Sequence, residues 1–163
     1  MLSPEQLRNR ITATGAIDTS DIVPCTPKKQ QQLEQILKCS LPKAYRSFLS
    51  TMGRGAGEFV SELTIFFPDV LTNTAKMREI LAACNQSLPD NTFVFIHRHG
   101  EQMLYLSLKS DDDPDVSRGS IEEPDQFPKL YTSIWDWIEE EVSGYEYCFG
   151  WTPLHNKRGI IKR

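Results

Sequence analysis

No two of the four cysteines (Cys25, Cys39, Cys84, Cys148) lie closer than fourteen positions. Disulfide frameworks and zinc ribbons both use short, repeated cysteine spacings, so neither is indicated, and the thiols are expected to be reduced and mostly buried. Long apolar runs are missing too. Phe93-Val94-Phe95-Ile96 is among the longest, whereas a membrane helix needs roughly 20 apolar residues. The start Met1-Leu2-Ser3-Pro4-Glu5 has no basic-then-apolar leader, so a soluble, cytoplasmic protein is expected. A basic surplus is also absent, with 18 Lys and Arg against 22 Asp and Glu. Direct binding to a nucleic-acid backbone, which wants a basic stripe, is therefore not expected.

Catalytic signatures are equally scarce. There is no G-x-S-x-G elbow, no phosphate-cradling loop and no H-E-x-x-H pair. Gly53-Arg54-Gly55-Ala56-Gly57 follows a helical pattern and opens no βαβ unit, which removes a dinucleotide reading. No catalytic residue, metal ligand or cofactor is expected.

What is present is ordinary for one soluble domain: 163 residues, 39% hydrophobic and 25% charged. The charge is unevenly spread. Residues 1–50 carry +3, 51–108 carry −2, 109–125 carry −5 and 126–156 carry −4, while the last seven residues carry +4. An acidic second half suits a basic protein partner.

Ser3-Pro4-Glu5 is a helix start, a capping hydroxyl followed by a first-turn proline. Thr26-Pro27 repeats the signal before Leu33, Ile36 and Leu37, spaced as one buried helical face. Leu41-Pro42 interrupts that helix, and Pro42 is expected in the first turn of the next. The face of that second helix is Tyr45, Phe48, Leu49 and Met52, and Gly53 to Gly57 ends it through glycine's freedom at positive φ. Glu58 to Phe67 reads as one or two strands, Thr72 to Cys84 as a helix, and Thr92–Arg98 and Gln102–Lys109 as a hairpin around His99-Gly100. Residues 110–129 read as loop, and Ser133 as the cap of a last helix carrying Ile134, Trp137, Ile138 and Val142. Helices, then strands, then a helix predict an α+β fold with a mainly antiparallel sheet.

Some clusters carry possible chemistry. His97 and His99, two apart, would share a strand face but show no third metal ligand. Asp111, Asp113, Asp115 and Glu122 match positions 1, 3, 5 and 12 of a calcium loop, but Val116 stands where that loop needs glycine. The run is better read as a solvated or partner-facing acidic loop with Asp112, Glu123 and Asp125. Glu139-Glu140-Glu141 is either the wet side of the last helix or an extension of that surface. Trp135, Trp137 and Trp151 are core residues or partner anchors.

Leu41-Pro42-x-x-Tyr45-x-x-Phe48-Leu49-x-x-Met52-Gly53-x-Gly55 resembles the amino-terminal signature of the SUKH superfamily, which is named partly for a yeast cell-wall-synthesis regulator and includes many bacterial immunity proteins. The likeness continues through Phe93–Ile96, Gly100-Glu101, Met103–Leu108 and the helix at Ser133–Ile138, where Trp137 takes an aromatic position of the motif. It runs from about Thr26 to Val142, with Met52-Gly53-Arg54-Gly55 in place of the usual Asn-Gly-Gly. The chain divides accordingly into an extension (1–25), one SUKH-like domain (26–156) and a basic tail (157–163). The resemblance implies a non-enzymatic, cytoplasmic immunity protein that neutralises a secreted polymorphic toxin, often a nuclease. On that reading Asp111, Asp112, Asp113, Asp115, Glu122, Glu123 and Asp125, with Glu139, Glu140 and Glu141, face a basic toxin domain. The superfamily's eukaryotic branch implies the alternative, an adaptor with several weak partners.

Overall fold

A computed structural model describes residues 3–108, 112–123 and 126–149. Helix α1 (Pro4–Ala13) opens on a reciprocal cap. The Gln6 amide donates to Ser3 Oγ at 3.1 Å and the Ser3 amide to Gln6 Oε1 at 2.8 Å. The short strand β1 (Ile22–Val23) follows, then α2 (Pro27–Leu37), α3 (Lys43–Met52) and β2 (Gly55–Ala56), which pairs antiparallel with β1. Helix α4 (Asn73–Ala83) precedes a four-stranded antiparallel meander, β3 (Thr92–Arg98), β4 (Gln102–Ser107), β5 (Val116–Ser120) and β6 (Lys129–Tyr131), and α5 (Ile134–Phe149) closes the described chain. The fold is α+β.

The sheet carries apolar side chains on both faces and is covered on both. On one, Tyr45 and Phe48 of α3 and Trp137 of α5 meet Phe93 and Phe95 of β3. Ring centroids are 5.1 Å apart for Tyr45–Phe93, 5.3 Å for Phe95–Trp137 and 6.1 Å for Phe48–Trp137, all edge-to-face. Each such pair adds about 0.5–1.5 kcal/mol to simple burial. On the other face, Met77 and Leu81 of α4 pack with Val94, Met103 and Tyr105. A bulge in β3 between Val94 and Ile96 breaks the strict alternation, so that Phe93, Phe95 and Ile96 all join the larger core. Leu41, Tyr45, Phe48, Leu49 and Trp137, the apolar members of the LP-to-glycine and terminal-helix motifs, are all buried there. Leu7 and Ile11 of α1 are fully buried in the same core, against α3 and α5.

Several local expectations need correcting. Helix α2 ends before Leu41-Pro42, because Lys38 adopts left-handed φ (54°), and Ile36 is 50% exposed. Pro42 is the N-cap of α3 and not part of its first turn. Gly53, the C-cap of α3, keeps an ordinary helical φ of −62°, and the left-handed glycine, Gly57 at φ 55°, follows β2 and does not end the helix. Residues 58–67 form turns, not strands. Val60 lies at φ 49°, and the amides of Phe59 and Leu63 donate back to Ala56 and Val60, so only a lone Thr64–His97 bridge reaches the sheet.

Residues 116–120, expected as loop, form β5. Its Gly119 admits Met103 and Phe127, since a Cβ there would lie 2.5 Å from Met103 Cε. His99 leaves the strand that holds His97 and, at φ 51° beside Gly100 at 80°, forms the hairpin turn. The two imidazoles therefore do not share a strand face. Cys25 alone of the thiols is fully buried, Cys84 and Cys148 being exposed.

Candidate acidic interface and its neighbouring groove

The acidic residues reach the surface through three elements: the 112–123 stretch with β5, the β6 edge, and the outer face of α5. Asp111 and Asp125 lie outside the described residues. Asp112 sits over the start of α3. Its carbonyl accepts from the Ala44 amide at 3.0 Å and its carboxylate pairs with Lys43 at 2.6 Å. Asp113 Oδ1 accepts from the Ile134 amide at 2.8 Å, satisfying one of the orphan donors at the head of α5, where Ser133 Oγ accepts from Asp136. Burial raises the Asp113 carboxyl despite the Ile134 and Trp135 amides and the Ser133 hydroxyl, which favour its charged form. Adjacent residues thus tie the amino ends of α3 and α5 together.

Asp115 pairs with Lys129 of β6, and Glu123 with Arg118 of β5, each at 2.7 Å. On α5, Glu139 and Glu146 hold Arg10 of α1, Glu146 through a contact of 2.8 Å. That clamp lowers the Glu146 carboxyl and raises the guanidinium. Glu140 accepts from the Tyr131 hydroxyl at 3.2 Å; burial and then the Glu140 charge push that phenol up to about 12. Glu141 accepts from Trp137 Nε1 at 3.0 Å, and its carboxyl is raised by burial first, with like charge from Glu140 adding to it. The Glu122 carboxylate, exposed, has no partner among the described residues.

Four of the expected interface acids are therefore spent on cations of this chain, and one on a helix start. Glu122, Glu140 and Glu141 keep a charge that no cation within ion-pair distance offsets among the described residues. A model of the SMI1/KNR4 family (SUKH-1) matches residues 24–140. The chain belongs to this family. Comparison with curated proteins finds no match. The SUKH-1 match takes in α2, α3, the meander and the first half of α5, the elements that form the aromatic core. It stops short of α1 and of the end of α5, the two segments that Arg10 and Glu146 join. The family includes toxin immunity proteins and is generally non-catalytic.

No group of three or more His, Cys, Asp and Glu residues is placed to hold a metal ion among the described residues. No helix there is long and apolar enough to cross a membrane. The aspartates that mimic a calcium loop in sequence point to different partners: Asp113 to the head of α5 and Asp115 to Lys129. Trp135 and Trp137 are buried, and Trp151 lies outside the described residues.

Sequence reasoning missed the concave surface beside this interface. Glu141 and Tyr145 of α5 border it, with Glu58, Glu62 and Leu63 of the 58–63 turns and Arg98 at the end of β3. These residues come from three separate segments and share no spacing that a motif could display. The chain turns at left-handed φ at Gly57 and Val60 within this region.

Proposed function

We propose that this SUKH-1 chain is a non-catalytic immunity protein that binds and neutralises a secreted polymorphic toxin through its exposed acidic surface. The observation that carries the reading is the family match across residues 24–140, in a family that includes toxin immunity proteins. The acidic side of α5 and the Glu122 turn support it, since unpaired carboxylates on one protein steer a basic partner and speed encounter. The cofactor-free cytoplasmic role, the toxin's nuclease character and the part played by Asp111, Asp112, Asp113, Asp115, Glu123, Asp125 and Glu139 belong to the same proposal.

The test is capture of partners from a native lysate, followed by co-expression of any stoichiometric partner with this chain. A single basic toxin domain that arrests growth alone and is silenced by co-expression is the expected outcome. A set of substoichiometric host proteins, none of them toxic, would overturn the reading in favour of an adaptor. With the toxin in hand, Glu122→Gln/Glu140→Gln should slow association and flatten its dependence on salt, leaving dissociation nearly unchanged.

A further inference from the structure

The inner flank of α5 faces a surface groove built from two cavities, of about 590 and 180 Å³, that share Leu63, Arg98 and Glu141. Both cavities carry apolar lining: Leu130, 47% exposed, lines the smaller, and Phe149, whose ring packs on Tyr145, lines the larger. Between them the floor is Leu63, Ile96 and Leu104.

Polar groups of the groove are unequally satisfied. Its two arginines are already taken, Arg98 by Glu62 at 2.8 Å and Arg118 by Glu123 at 2.7 Å. Glu58 and Glu141, which line the larger cavity together, have no cation within ion-pair distance among the described residues. Tyr145 lines the same cavity and is over nine-tenths buried, yet its hydroxyl has no hydrogen-bond partner among the described residues. A buried hydroxyl and two carboxylates without a cation call for a charged donor, and the apolar lining at Leu104 and Leu130 calls for large hydrocarbon side chains.

We propose that this groove receives an extended segment of a protein partner in which a lysine or arginine is flanked by large apolar residues. The cation enters the cavity of Glu58, Glu141 and Tyr145, while a neighbouring apolar side chain lies against Leu104 and Leu130. The inference rests on the protein-binding reading above and gives it a partner chemistry. It also moves the centre of recognition from the 112–123 stretch to the groove. An acidic segment is disfavoured, because both arginines would first have to leave their glutamates.

The experiment uses the full chain and a fluorescein-labelled heptapeptide, Gly-Ser-Leu-Lys-Phe-Ser-Gly. Two control peptides carry glutamate in place of its lysine, or serine in place of its leucine and phenylalanine. Saturable binding is expected for the first peptide alone, with amide NMR shifts confined to residues 58–63, 96–104 and 141–145. Glu58→Gln/Glu141→Gln keeps the acceptor for Trp137 Nε1 and should weaken binding roughly tenfold, as expected for two solvent-accessible ion pairs. Leu130→Glu, at a half-exposed site that tolerates change, should weaken it comparably.

Absence of saturable binding, equal binding of the glutamate peptide, or an unaltered affinity in the double variant that melts normally would each overturn the proposal. So would a dimer that Leu130→Glu dissociates, which would make a second copy the occupant. Movement of the groove's resonances when Lys157, Arg158, Lys162 and Arg163 are changed to Gln would likewise assign the groove to the chain's own basic end. The titration reports on the groove alone and toxin silencing on the proposed function, so either can fail without the other.

Discussion

Replacing Leu7 with Ala tests whether the segment preceding the family match belongs to the core. Leu7 is fully buried, in the same apolar cluster as Ile11, α3 and α5. Truncating such a leucine removes its transfer energy and leaves a cavity, which together cost about 2–5 kcal/mol. The site is held from both sides, by the capped start of α1 and by the Arg10 clamp to α5, so it collapses poorly and a value near 3 kcal/mol is expected. For a chain of this size, that is a fall in melting temperature of roughly 6–12 °C.

Arg10→Met is the companion change. Its guanidinium is partly exposed, and solvent screening limits its two carboxylate contacts to about 1 kcal/mol. Ile36→Ala, at a half-exposed position, is the control and should stay within about 0.5 kcal/mol. Urea unfolding followed by tryptophan fluorescence reads all three, because Trp135 and Trp137 lie in the same core. A Leu7→Ala variant as stable as Ile36→Ala would refute the packing argument and make α1 an appendage. A variant with a reduced m-value would show α1 detached while the rest stays folded.

Acid should weaken the fold through His97. Burial, helped by the Lys76 and His99 charges and opposed by Asp69, holds this imidazole below its ordinary 6.5. Lys76 can only donate to Nε2, 3.4 Å away, which leaves the proton on the buried Nδ1. The unfolded chain therefore takes up a proton first as pH falls. The contribution is intact above pH 6.5 and is lost as pH drops through that value toward the lowered native one, and His97→Gln should flatten the slope of stability against pH in that window. Gly100→Ala forces a side chain onto φ 80° and sets a Cβ 2.9 Å from Ile80 Cδ1, so thermal unfolding should register a loss of about 1–2 kcal/mol. Asp113→Ala strips an acceptor from the head of α5 and should cost about 1–2 kcal/mol in the same assay, most of it restored by Asn.

The parts of this fold written in local code were readable. Ser3-Pro4 and Ser133 mark helix starts, His99-Gly100 marks a hairpin, and Tyr45, Phe48 and Leu49 show a helical face, because caps, turns and periodicity act within a few residues. The losses share a cause. Strand β5 reads Val-Ser-Arg-Gly-Ser, poor in β-formers, and exists because β4 offers it a partner and Gly119 makes room for Met103 and Phe127. Residues 58–67 carry strand-like apolar residues, yet Phe59, Ile65 and Phe67 are drawn into the core from turns. The α2 face was half right, Leu33 being buried and Ile36 exposed, since nothing local says how far a neighbouring helix extends. For the acidic interface, the sequence displayed the carboxylates but not their partners. Lys43, Lys129 and Arg10 lie 69, 14 and 129 positions away from the acids they hold.

That last point changes how the surface charge acts. A carboxylate beside its own ammonium presents a dipole, whose field falls faster than that of a lone charge and is screened within about 8 Å at physiological salt. Asp112, Asp115, Glu123 and Glu139 thus contribute little to long-range attraction while paired, and Asp113 is committed to the start of α5. Neutralising the aspartate run would confound a change in charge with a loosened link between α3 and α5. The groups able to act at a distance are those no local cation holds, Glu122 at the turn after β5 and Glu140 on α5, with Glu58 and Glu141 acting at contact range in the groove. Division of labour follows from where each charge sits: paired acids at element ends hold the frame, unpaired ones on the open surface govern encounter, and those that line the groove govern what stays bound.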